Sequence, residues 1–353
     1  MEELRSVKAA RRRKQRRRQI RTAAVLIALV VIAGAAVSGG LLVADQFRDH
    51  IAEYEEDNYD RSVYQGTLVA SDLCVTAGEV ALAGYEPESE LHAAGLFDLE
   101  NRSVLCGYRL FDRLYPASTT KVMTAYVALK YSNMDDVVTV SANATDFKAD
   151  EVTSGLRTGD RVTMYDLVCG LLLRSGNDCA TAIAEHISGS TEQFAELMNQ
   201  EAAALGATGT HFMNPHGLHN EDHYTTAYDL YLMFNECIKN ETFVEIISME
   251  TYDGTLNGAD GAVRKETWIP SQWYGSGEAE EPEGIRVLGG KTGTTKLAGN
   301  CVILYDQDLE EHPYISVIMG ADDREMLYEQ MNLLMDAGIN GSQTEQENQQ
   351  ISD

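Results

Sequence analysis

The 353-residue chain carries 28 Lys+Arg against 55 Asp+Glu, a formal net charge of −27. That length allows a large buried core without the disulfide or metal staples of small scaffolds, and so acidic a body repels phosphate, which argues against a nucleic-acid partner. The charge is divided sharply: residues 1–21 hold ten Lys/Arg against two acidic residues, leaving 18 basic and 53 acidic residues beyond them.

The basic tail, residues 1–22, abuts residues 23–44, "AAVLIALVVIAGAAVSGGLLVA", which contain no charge. As one helix rising about 1.5 Å per residue, this run spans the roughly 30 Å hydrocarbon core of a bilayer. Lys/Arg on its N-terminal side hold the tail in the cytoplasm. The expectation is a single-pass cell-membrane protein, N-terminus inside and everything after Asp45 outside. This topology explains the basic run better than nucleic-acid binding does. A cleaved signal peptide is the rival, because small residues occur around Ala33 to Gly40. The apolar run outlasts the roughly 7–15 residues of a signal core and continues past those small residues, which favours an uncleaved anchor. Residues 45–66 read as a polar spacer, 67–338 as the folded body and 339–353 as a polar disordered tail.

Within the body, two short apolar runs around Asp98 to Ser103 predict a hairpin. A helix is predicted over 117–131, with Val122, Ala125, Tyr126 and Leu129 at helical spacing. Thr163 caps a helix through "MYDLVCGLLLR", and Asn177 caps one through "DCATAIAEHI". Ser190 with Gln193 resembles a capping box before a third, and Leu230, Met233, Phe234 and Cys237 share a face of a fourth. "IRVLGGKTGTTK", "GNCVILYD" and "HPYISVIMG" follow as strands whose short connections imply antiparallel pairing, before a final helix opening on Asp322 and Glu325. The expected fold is α/β of the α+β kind: an antiparallel sheet built from both chain ends and flanked by helices, with an inserted helical lobe, preceded by one transmembrane helix. The six cysteines lack CxxC spacing. Cys169, Cys179 and Cys237 read as small buried hydrophobes; outside a membrane a disulfide is possible, and Cys74 with Cys106 is the pair to test for one.

At the start of the 117–131 helix, Ser118 and Lys121 stand three apart and share a face, so hydroxyl and amine can meet. Serine attacks carbonyls poorly unless a base takes its proton, and lysine serves only when neutral. A dry pocket and a helix N-terminus both push its pKa down, and the free Ser118 amide is a natural oxyanion donor. One S-x-x-K is nevertheless expected by chance in a chain of this length, so alone it reads as a cap beside a solvated lysine. Two further motifs change this: "LLLRSGNDCA" places Ser175 and Asn177 in a tight turn between helices, and "GGKTGTTK" places Lys291, Thr292 and Gly293 on a strand. Each has an ordinary explanation, a cap and a solvated edge, but their joint order does not.

With these three motifs the sequence resembles the penicillin-binding protein and serine β-lactamase group, whose signature is S-x-x-K, S-x-N and K-T-G. "YPASTTKVMTAY", "LLLRSGNDCATAIAEHISGS", "FMNPHGLHNEDHYTTAYDL" and "GGKTGTTKLAGNC" bring it nearest to the D-alanyl-D-alanine carboxypeptidases of low molecular mass, over about Ala94 to Gly338. The resemblance implies a β-lactamase/transpeptidase-like fold, removal of the terminal D-alanine of peptidoglycan stem pentapeptides, and inhibition by β-lactam antibiotics. It also implies roles: Ser118 as nucleophile, Lys121 as its base and Ser175 as proton relay, with Asn177 on the substrate amide. Lys291 would supply positive potential beside Ser175 and Lys121, Thr292 would bind the terminal carboxylate, and the Thr294 amide would be the second oxyanion donor. Gly293 would keep a side chain off substrate lying on the strand.

Several rivals remain. A class A-like β-lactamase needs a glutamate for deacylation, and "THFMNPHGLHN" offers none before Glu221. A D,D-transpeptidase or endopeptidase shares the same acylation. His211, His216, His219 and His223 with Glu221 and Asp222 suggest a zinc peptidase, but Pro215, Gly217 and Asn220 make this stretch a loop and HExxH is absent. No metal and no cofactor are therefore expected. His216 either lines the site or stabilises the turn. A non-catalytic cell-wall binder has no need of a nucleophile with its base, and the missing G-x-S-x-G elbow argues against an α/β-hydrolase.

Overall fold

Strand-forming segments from the two ends of the chain meet in one sheet. The computed structural model describes residues 72–88 and 91–341. The expected basic tail, anchor and spacer up to residue 66 lie outside the described residues, as does most of the expected C-terminal tail. Among the described residues no helix is long and apolar enough to cross a membrane.

Strands β1 (Ala93–Asp98), β2 (Ser103–Tyr108), β7 (Ile285–Thr295), β8 (Gly299–Asp308) and β9 (Pro313–Ala321) form an antiparallel sheet in the order β2-β1-β9-β8-β7. Side chains alternate between its faces. Phe97, Cys301, Ile303, Ile315 and Val317 join one core with the helical lobe, while Leu96, Val302, Leu304 and Ile318 join another under the C-terminal helix. Burying both faces explains why β8 and β9 read as nearly continuous apolar runs.

The helices, in chain order, are α1 (Lys121–Tyr131), α2 (Met164–Cys169), α3 (Asn177–Ser188), α4 (Thr191–Ala204), α5 (Ala227–Cys237), α6 (Glu241–Ile247), α7 (Trp273–Ser276) and α8 (Arg324–Met335). Thr163 caps α2 by accepting from the Asp166 amide, and Ser190 caps α4 by accepting from that of Gln193. Val122, Met123, Ala125, Val127 and Ala128 make α1 buried almost all round, as a central helix must be.

The helix expected over 117–131 is present over those residues with one difference in its first turn, and other expectations are corrected. That first turn is 3-10, Ala117–Thr120, and runs into α1. The cap of α3 is Gly176, with Asn177 its first helical residue, and the cap of α8 is Asp323 rather than Asp322. The inserted lobe also contains a second antiparallel sheet, β3 (Val137–Thr139), β4 (Arg161–Thr163), β5 (Tyr252–Asn257) and β6 (Val263–Trp268). Cys74 and Cys106 are free and sit in different cores, and the Cys74 thiol donates to Asp98 O at 3.1 Å.

Candidate active site

The Ala117–Thr120 turn, the segment between α2 and α3, and edge strand β7 converge on Ser118. Ala117 enters the turn at φ 48° and Ser175 sits at φ 67°. Such left-handed non-glycine conformations cost energy and persist only where surrounding packing enforces them. Around Ala117 that packing is the 211–223 loop. Gly217, itself at φ 84°, approaches so closely that a Cβ there would lie 1.9 Å from Ala117 O. Thr124 Oγ1 donates to Pro215 O at 2.5 Å. His223 Nδ1 accepts from the Met213 amide, so its proton resides on Nε2 and is given to Thr120 Oγ1 at 2.8 Å, while Thr120 donates to Ala117 O.

Around Ser175 the chain widens into a π-helical turn, Gly170–Arg174, a local irregularity often met at functional sites. The loop before β4 is tied to it. The Asn177 amide donates to Val152 O at 2.9 Å, and the buried Asp178 carboxylate accepts from the amides of Ser154, Leu156 and Cys179. Asp178 is a supporting residue that the S-x-N motif alone does not point to.

Lys121 is fully buried, and its Nζ reaches three oxygens: Ser118 Oγ at 3.0 Å, Asn177 Oδ1 at 2.8 Å and the His216 carbonyl at 2.7 Å. Burial and the nearby Lys291 charge push its pKa well below the ordinary lysine value, against the opposing charge of Asp178. Two of the three partners, the Asn177 and His216 carbonyl oxygens, can only accept, whereas the serine hydroxyl can also donate. A neutral amine has two N–H groups and one lone pair. The three oxygens accommodate either state of the amine; the lowered pKa favours the neutral one, whose lone pair can then face the Ser118 proton.

Lys291 is also fully buried, and burial pushes its pKa down to about 7. Its Nζ donates to Thr292 O at 2.9 Å and, at 3.5 Å, to Ser271 Oγ. It bears on Lys121 through its charge. Strand β7 is an edge of the five-stranded sheet, so its free backbone groups can pair with an extended ligand. Gly293 has a reason beyond the one expected. A Cβ there would lie 2.7 Å from the Ser118 amide nitrogen and 2.8 Å from Pro116 O, so the residue lets the strand abut the nucleophile's own turn.

Two cavities meet at Ser118. One, of about 270 Å³, is lined by Ser175, Ser271, Thr292, Gly293, Thr294 and Arg324, among others. The other, of about 520 Å³, includes Lys148, Glu151, Asn177, His219, Thr294 and Lys296. The structure thus gathers Ser118, Lys121, Ser175, Asn177, Lys291, Thr292, Gly293 and Thr294. Of the two readings of His216 the structure favours the turn: its Nδ1 accepts from the Leu218 amide at 3.2 Å, its carbonyl holds Lys121, and burial pushes its ring down to about 3, whereas the histidine lining the cavity is His219. The remaining histidines of the loop serve its folding: His211 Nδ1 meets Asp222 O at 2.6 Å and His223 holds the turn. Sequence reading missed Ser271 and Arg324. Neither belongs to a motif, and only the third dimension brings them to β7.

A protein-family model described as D-alanyl-D-alanine carboxypeptidase matches residues 82–323. The chain is 35% identical over 172 residues to D-alanyl-D-alanine carboxypeptidase DacF of Bacillus subtilis, covering 47% of this chain and 43% of that protein. It is 33% identical over 249 residues to DacD of Escherichia coli, covering 66% and 59%. It therefore spans about half the length of these relatives. Among solved structures, the Streptomyces K15 DD-transpeptidase superposes with a TM-score of 0.66 at 27% identity, covering 72% of this chain and 99% of that one. A D-alanyl-D-alanine carboxypeptidase of Mycobacterium tuberculosis does so at 0.65 and 27%, covering 74% and 96%.

Proposed function

The chain belongs to the D-alanyl-D-alanine carboxypeptidase family, and from that premise we propose that it removes the terminal D-alanine of peptidoglycan stem pentapeptides through an acyl-enzyme on Ser118. The observation that carries this reading is the fully buried Lys121 amine, 3.0 Å from Ser118 Oγ.

Lys121 takes the Ser118 proton as Oγ attacks the carbonyl of the penultimate D-alanine. The Ser118 and Thr294 amides receive the oxyanion. Ser175 passes a proton to the leaving amine, D-alanine departs, and water hydrolyses the ester. Asn177, its Oδ1 held by Lys121, offers Nδ2 to the substrate amide. Thr292 and Arg324, which share one cavity, take the terminal carboxylate, the guanidinium supplying charge and the hydroxyl direction. Lys291 adds positive potential. β-Lactams acylate the same serine.

The chain is further proposed to be anchored in the cell membrane by residues 23–44, with its catalytic body outside. The support is the uncharged run and the basic tail before it.

The test is D-alanine release from a peptide ending in D-Ala-D-Ala. The full-length protein should release it, and a folded Ser118→Ala variant should not. Continued release by the variant would remove Ser118 from the mechanism. The DD-transpeptidase among the structural neighbours motivates adding an amino acceptor to the assay: transfer exceeding hydrolysis would make transpeptidation the main reaction.

A further inference from the structure

Beside β7 stands a hydroxyl that belongs to none of the motifs. Ser271 follows β6 and lines the cavity that contains Thr292 and Arg324. Its Oγ lies 2.7 Å from Thr292 Oγ1 and 3.5 Å from Lys291 Nζ. The short segment carrying it is pinned beyond the serine. Gln272 is 3% exposed and caps α7 by accepting from the Gly275 amide, and the Trp273 amide donates to Tyr328 Oη at 2.8 Å. Pro270, just before it, restricts the backbone further.

Either hydroxyl can donate across the 2.7 Å contact, and one donor order uses all three groups. Lys291 Nζ donates to Thr292 O and to Ser271 Oγ, and either protonation state of the amine has the two N–H groups this requires. With Ser271 Oγ accepting from the lysine, its own proton is available to Thr292 Oγ1. Thr292 then accepts from Ser271, and the Thr292 proton is left for the cavity. Without Ser271, the Thr292 hydroxyl rotates freely and can turn its lone pairs toward an incoming anion.

We propose that Ser271 is a positioning residue that orients the Thr292 hydroxyl as a donor to the substrate's terminal carboxylate, through the chain Lys291 to Ser271 to Thr292. The proposal rests on the carboxypeptidase reading and deepens it, because it assigns selectivity for a free C-terminal carboxylate over a neutral terminus to a residue outside the three motifs. Aligned donors in a chain polarise one another, so the effect falls on a charged acceptor more than on a neutral one.

The test compares two peptides ending in D-Ala-D-Ala, one with a free carboxylate and one with a C-terminal amide, on full-length wild-type, Ser271→Ala and Ser271→Thr proteins. The ratio of kcat/KM for acid over amide should fall about tenfold in Ser271→Ala, chiefly through KM for the acid, the size expected for one lost hydrogen bond to a charged group. Ser271→Thr, which keeps the hydroxyl, should restore most of the ratio. An unchanged ratio in Ser271→Ala would overturn the proposal, and so would an equal loss on both peptides, which marks a general structural effect. A wild-type protein that cleaves neither peptide would instead overturn the carboxypeptidase reading, and this inference with it.

Discussion

The two walls of the cleft each carry a fully buried lysine, and each treats it differently. On the helical wall Lys121 reaches Ser118 Oγ, Asn177 Oδ1 and the His216 carbonyl, held by two left-handed residues and a loop packed against the turn. On the strand wall Lys291 bonds to Thr292 O and Ser271 Oγ, beside an edge strand with free backbone groups. The first arrangement suits a lysine that gives up its proton beside a nucleophile. The second suits one that keeps N–H groups trained on hydroxyl and carbonyl oxygens at a binding surface. Burial alone therefore assigns no role; what differs is which hydroxyl each lysine reaches, that of Ser118 on the helical wall or that of Ser271 beside the edge strand.

The largest effect should come from breaking the helical wall. Lys121→Ala is expected to lower the acylation rate by a factor of about 10³, read as the rate of labelling by a fluorescent penicillin, with a far-UV spectrum like the wild type. In the wild-type protein, acylation should persist at pH values well below the ordinary lysine pKa, and fall only as acid protonates Lys121. A rate that tracked an unperturbed lysine would contradict the neutral-amine account.

Joining the walls too tightly should be next. Gly293→Ala would place a methyl group 2.7 Å from the Ser118 amide nitrogen, and is expected to cost about 1–3 kcal/mol of stability as well as acylation rate. Denaturant titration beside the labelling assay checks both. A variant with normal stability and rate would mean that the strand can withdraw from the turn.

Thr292→Val should act on the strand wall alone, raising KM for the acid-terminated peptide about tenfold with a much smaller change in kcat. A loss confined to kcat would place Thr292 in the chemistry instead.

The smallest effect on activity at neutral pH concerns the loop behind the helical wall. His216 and His223 are pushed down from 6.5 to about 3 by burial. Between those values the unfolded chain binds more protons than the folded one. Their contribution is thus complete above about pH 6.5 and is lost as pH falls toward 3, by roughly 2 kcal/mol apiece at pH 5. Acid unfolding of His223→Gln should accordingly show a shallower dependence over that window, and an unchanged slope would remove His223 from the effect.

The difference between the walls also decides how much was legible in the chain. Ser118, Lys121, Ser175 and Asn177 stand at short fixed spacings, and Lys291 to Thr294 run along one strand, so local order carried them. The apolar runs of β8 and β9 likewise announced a sheet buried on both faces. The second sheet was not legible, because β6 reads "VRKETW" with mostly exposed or half-exposed positions and β3 and β4 have three residues each. Asn177 looked like a cap because Asn favours that position, yet its side chain is spent on a lysine 56 residues away. Gly293 was legible as a close approach, though the neighbour is the Ser118 turn and not only a ligand. Ser271 and Arg324 lie 20 and more residues from Lys291, and no spacing rule connects them. His216 and His219 could not be distinguished within a loop whose turns set which ring faces the cavity.

The central claim is that Ser118, deprotonated by a neutral Lys121, forms the acyl-enzyme. The most direct measurement is to incubate the full-length protein with a fluorescent penicillin, with and without a chelator, and to locate the adduct by intact and peptide mass spectrometry. The account predicts one stoichiometric adduct on Ser118, insensitive to the chelator, absent from folded Ser118→Ala protein and formed about 10³-fold more slowly by folded Lys121→Ala protein. Folded wild-type protein that carries no adduct, or carries it on another residue, would contradict it.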